Sequence, residues 1–61
     1  MKVTIKIQCD NAAFEDQVGP ELSRILRELA AQVEDWPGAS EFKIGCCDIN
    51  GNKVGQMVAK G

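Results

Sequence analysis

Between Val18 and Trp36 the chain reads VGPELSRILRELAAQVEDW, and its large apolar residues, Val18, Leu22, Ile25, Leu26, Leu29, Val33 and Trp36, recur at steps of three and four. That spacing is one stripe along an α-helix. Nowhere else in the 61 residues does the pattern return. A single helix buries one stripe and shields one face of whatever it packs on, so the rest of the chain must form a layer with a second face left over. Pro20 suits the first helical position, with Gly19 as the cap before it, because proline's fixed φ and missing donor cost nothing there. Pro37 and Gly38 stop the helix, which is expected from about Pro20 to Asp35, with Glu21 favouring its N-terminal turn.

The flanking segments alternate instead. Val3, Ile5, Ile7 and Cys9 are separated by Thr4, Lys6 and Gln8, the period of a half-buried strand. Asp10 and Asn11 then supply turn or capping chemistry, and Phe14 is expected in a short helical turn against the core. From Glu41 onward the chain reads as a hairpin about Asn50-Gly51, the favoured pair for a two-residue type I′ turn. That turn sets Asp48 opposite Lys53, Cys47 opposite Val54, Ile44 opposite Met57 and Glu41 opposite Lys60; a three-residue loop with a bulge would shift the register by one. The expectation is a single α+β domain, residues 1–61, of β-α-β-β order: a three-stranded sheet with one helix packed on one face. Strands are expected at about 2 to 9, 41 to 49 and 52 to 60, with the first beside either of the others. The expected core is Val3, Ile5, Ile7, Phe14, Leu22, Ile25, Leu26, Leu29, Val33, Trp36, Phe42, Ile44 and Met57.

Catalytic vocabulary is scarce. There is no histidine or tyrosine, only two serines and one threonine, and no phosphate-cradling glycine pattern, so no triad or nucleotide motif can be assembled. Cys46 and Cys47 are neighbours on a strand and point to opposite faces, so they cannot hold one ion together; three cysteines, none in Cys-x-x-Cys spacing, read as reduced thiols and small core residues. The acidic pairs Glu15-Asp16 and Glu34-Asp35 lie beside helix ends, where they solvate or cap. No enzyme activity, cofactor or metal is expected. No apolar run is long enough for a membrane span, and MKVTIKIQ alternates where a signal peptide would be solidly apolar, so a cytoplasmic location is expected.

Charge is segregated. All five lysines, Lys2, Lys6, Lys43, Lys53 and Lys60, lie in the expected strands, and seven of the nine acids lie between Asp10 and Asp35. The sheet face away from the helix is expected to carry Lys43, Cys47, Ile49, Val54, Gln56, Val58 and Lys60, and these are the candidate partner-binding residues. A domain of this size forms a marginal core, so the leading expectation is a binding module that docks a protein partner or forms a homodimer through this face or a strand edge. A small nucleic-acid-binding protein using the same lysines is the alternative; the net charge of −2 and the claim of the core on Phe14, Phe42 and Trp36 weigh against it.

The segments DNAAFED, ELSRILRELA and DINGNKVG together resemble a group of very short proteins carried by bacteriophages and prophages. The resemblance spans most of the chain and transfers no catalytic residue. It implies a phage context, in which small non-enzymatic proteins act on host defence or regulatory complexes, as anti-CRISPR proteins do; that step is analogy.

Overall fold

The computed structural model describes residues 1–38 and 40–61. Its elements are β1 (Lys2–Ile7), a 3₁₀ turn (Ala12–Phe14), α1 (Val18–Val33), β2 (Phe42–Cys47) and β3 (Lys53–Lys60). The fold is α+β, with α1 on one face of a three-stranded antiparallel sheet of order β1-β3-β2. This resolves the neighbour of β1: it lies antiparallel to β3 and makes the hairpin's last strand central.

α1 starts two residues before the expected Pro20, after Gln17 rather than Gly19, and Gln17 makes no side-chain cap bond. Pro20 is tolerated there because the first-turn amides have no partner within a helix. The regular helix ends at Val33, short of Asp35, and the Trp36 amide bonds the Val33 carbonyl at 3.0 Å. Trp36 then meets Phe42 edge to face with ring centroids 4.4 Å apart, and its indole N–H donates to the Ser40 carbonyl at 3.1 Å.

The body of the hairpin keeps the expected register, with Ile44 opposite Met57 and Phe42 opposite Ala59. Its tip does not. The Gly51 amide bonds the Asp48 carbonyl (3.0 Å) and the Asp48 amide bonds the Asn52 carbonyl (2.9 Å), enclosing Ile49, Asn50 and Gly51 in a three-residue loop. Within the loop only Gly51 has positive φ (+86°), and Asn50 does not, so the expected type I′ turn is replaced by the loop with glycine at its left-handed position. Asp48 therefore faces Asn52, not Lys53, and Cys47 faces Lys53, not Val54. A bulge between Cys46 and Cys47, where Val54 is the unpaired residue of β3, then restores the original register at Cys46 and Gly55.

The core comprises Phe14, Ile25, Leu29, Cys46, Val54 and Met57, with Ile7, Cys9, Ala13, Val33, Phe42 and Ile44 packed around it. Five expected core residues fall outside: Leu22 and Trp36 are half-buried, and Val3, Ile5 and Leu26 are exposed. Val3 and Ile5 are 48% and 43% exposed, and Leu26 is 41% exposed. Val3 and Ile5 do lie on the helix face, opposite Ala59 and Met57. The helix packs toward β2, where the flank bearing Glu21 and Arg24 is bonded to the Cys47 carbonyl at the strand's end and to the Ile49 amide in the loop. Leu26, on the other flank, is left exposed.

Candidate functional site

The sheet face opposite α1 carries all the lysines. Cross-strand neighbours share a face, so Lys2 with Lys60, Thr4 with Val58, Lys6 with Gln56 and Lys43 with Val58 form one continuous surface. Lys53 joins them beside Gly45: a Cβ built on Gly45 would stand 3.4 Å from Lys53 Cε, so the lysine stem lies across the glycine. Lys2, Thr4, Lys6, Gln56, Val58 and Lys60 line a shallow groove of about 260 Å³ between β1 and β3.

These cations are unbalanced. Among the described residues the ion pairs are Arg24 with Glu21 and Arg24 with Glu28, both on the helix side, and none involves a lysine. The two acid–lysine pairs expected across the hairpin do not form: Asp48 is turned into the loop, and Glu41 Oε2 accepts from the Gly61 amide at 2.9 Å. Lys2 instead sits directly opposite Lys60, an arrangement of like charges that is unfavourable in a sheet.

Of the expected partner-binding residues, Lys43, Gln56, Val58 and Lys60 occupy this face, with Cys47 exposed toward its hairpin end. Two do not belong. Val54 is 8% exposed within the core, turned inward by the bulge. Ile49 sits at the loop tip, 69% exposed, beside a groove shared with Ala13, Gln17 and Pro20 on the helix side. Lys2, Thr4 and Lys6 belong to the same surface beyond the expected set, and their alternation with Val3 and Ile5 puts them on one face. Only the pairing of β1 with β3 joins that face to Val58 and Lys60.

Two buried carboxylates hold the frame. Asp48 Oδ1 accepts from the amides of Asn50 and Asn52, each at 2.9 Å; Oδ2 accepts from the side-chain amides of Asn11 (2.6 Å) and Asn52 (3.2 Å). Burial pushes its pKa up, but these bonds together outweigh burial and hold it below the ordinary aspartate value. Asn11 also caps the 3₁₀ turn through its Oδ1, so one aspartate links that turn to the hairpin. Glu21 accepts from Arg24 Nε (2.8 Å) and Nη2 (3.1 Å) and from the Ile49 amide (2.8 Å). The Arg24 guanidinium lowers its pKa against the opposing effect of burial, and the Ile49 amide adds to the lowering. Both carboxylates are saturated by structural donors. The thiols are dispersed in environment: Cys46 is buried, Cys9 half-buried and Cys47 exposed. Burial, reinforced by the adjacent Cys47 and opposed by Lys53, pushes the Cys46 thiol up.

Phe14 is in the core and Phe42 and Trp36 pack on the helix side, so the lysine surface offers no aromatic platform. Among the described residues no helix is long and apolar enough to cross a membrane. Compared with known proteins, the chain matches no family model, no curated sequence and no solved structure.

Proposed function

We propose that this chain is a non-enzymatic binding module whose open sheet face takes an acidic surface of a protein partner. The observation that carries this reading is the set of five lysines on one face with no acid paired to any of them among the described residues. An incoming carboxylate surface relieves the repulsion between Lys2 and Lys60, and Val58 with Thr4 supplies a small uncharged centre between the charges. The saturated state of Asp48 and Glu21 supports a structural rather than catalytic use of the two buried acids. Protein is favoured over nucleic acid because the face lacks rings on which bases stack, and because the chain carries net charge −2. The resemblance to short phage proteins supports a host complex as the source of the acidic partner.

The test is affinity capture from cell lysate with the wild-type chain and with Lys43→Glu/Lys60→Glu, folding being checked by circular dichroism. The reading expects acidic proteins retained at low salt, released as salt rises, and absent from the variant. Retention of nucleic acid that disappears after nuclease treatment, together with the captured proteins, would overturn it in favour of nucleic-acid binding.

A further inference from the structure

β1 is an edge strand, and it is open in three ways at once. First, its backbone is unpaired on one side. The Gln8 amide bonds the Val54 carbonyl at 2.8 Å, which fixes the phase of the β1-β3 ladder. Residues of even number in β1 point their amides and carbonyls at β3, and Val3 and Ile5 point theirs outward. Along that outer edge the described residues provide one contact, from Cys9 Sγ to the Ile7 carbonyl at 4.0 Å. Second, Val3 and Ile5 are exposed apolar residues on the helix side of this strand. Third, Lys2 and Lys6 stand on the opposite face, with Thr4 between them.

The other edge is less available. Arg24 Nη2 occupies the Cys47 carbonyl at 3.1 Å, so one outward acceptor of β2 is already taken.

We propose that β1 receives an extended partner segment in which acidic residues alternate with aliphatic ones. The segment adds as a fourth strand, bonding to the Val3 and Ile5 backbone. Its aliphatic residues cover Val3 and Ile5, and its carboxylates fall beside Lys2 and Lys6 on the lysine face. Charge selects this occupant over a second copy of the chain. Another β1 strand brings its own Lys2 and Lys6 to the same face, which is how edge lysines discourage self-pairing. This inference rests on the acidic-partner reading above and names the element and the partner conformation that carry it.

The experiment uses the full chain, isotopically labelled, and a short blocked peptide alternating glutamate with valine. Strand addition expects the exchange of the Val3 and Ile5 amides to slow on titration. It also expects the glutamine counterpart of the peptide to bind roughly tenfold more weakly at low salt. Methylating the peptide amides on alternate residues should abolish binding in one phase only, the phase whose donors face β1. Ile5→Pro removes an outward donor without breaking a bond to β3 and should abolish binding while the amide spectrum stays dispersed. If that variant does not fold, the two methylated peptides decide alone. Chemical shifts confined to Lys43 and Val58, with Val3 and Ile5 unprotected, would overturn strand addition and leave the sheet-face reading standing. Protection of Val3 and Ile5 without peptide, with doubled mass in light scattering, would overturn it in favour of a second copy. Absence of peptide binding at low salt would overturn it outright.

Discussion

The Glu21 carboxylate, on the first turns of α1, accepts the backbone amide of Ile49 at 2.8 Å, a contact spanning 28 residues. Arg24 completes it, holding Glu21 with two nitrogens, Glu28 with a third contact at 2.9 Å and the Cys47 carbonyl at 3.1 Å. Helix and hairpin loop are thus joined by charge-assisted bonds.

Acid should loosen this junction. The folded pKa values of Glu21 and Asp48 are both lowered, so their contribution is fully present above the unfolded carboxylate values, about 4. It is lost as pH falls through the lower folded values. Asp48→Asn and Glu21→Gln should each destabilise the fold at neutral pH, since an amide brings donors to sites already facing donors. Each should also flatten the acid limb of a plot of urea midpoint against pH; an unchanged limb in both would refute the assignment.

Gly55 should not accept a side chain. A Cβ there would lie 1.9 Å from the Lys6 carbonyl oxygen and 2.8 Å from Ile7 Cα, both backbone atoms of the neighbouring strand. Gly55→Ala is expected to cost about 3 kcal/mol, at the upper end for overpacking, and chemical denaturation measures it. Gly51→Ala, strained only by its φ of +86° with open space around it, should cost about 1 to 2 kcal/mol.

Val54 and Val58 should behave as opposites. Val54→Lys buries a charge in the core and should destabilise by about 3 kcal/mol or more. Val58→Thr, on the open face, should stay within about 0.5 kcal/mol and leave the urea midpoint nearly unmoved. Equal effects at the two positions would contradict the bulge.

The thiols should separate by reactivity. A maleimide at neutral pH is expected to modify Cys47 in the folded chain, while Cys46, buried and with its pKa raised, reacts on unfolding. Peptide mapping by mass spectrometry reads the order directly, and early modification of Cys46 would contradict its place in the core.

The helix was legible because Ile25, Leu29 and Val33 repeat at the period of the structure they form. The loop was not, because Asn50-Gly51, favoured in a two-residue turn, also fits a three-residue loop, and the deciding residue was Asp48, whose carboxylate collects the loop amides. Alternation placed Val3 and Ile5 on the right face of the sheet, yet it carries no information about where a helix lies across that face. Glu21 read as a surface residue at a helix start; its burial depends on the Ile49 amide, which no local pattern announces. The lysine face was visible in part from the hairpin alone, and its other half appeared only with the pairing of β1 and β3.

The extra residue of the loop and the extra residue at Val54 offset one another. Beyond Gly55, each side chain of β3 therefore keeps the partner it would have had with neither insertion. The tip and the stem of this hairpin are in effect separately adjustable parts: a turn one residue shorter, closed by the same Asp48 and Asn52 pair, is compatible with the same array of cations.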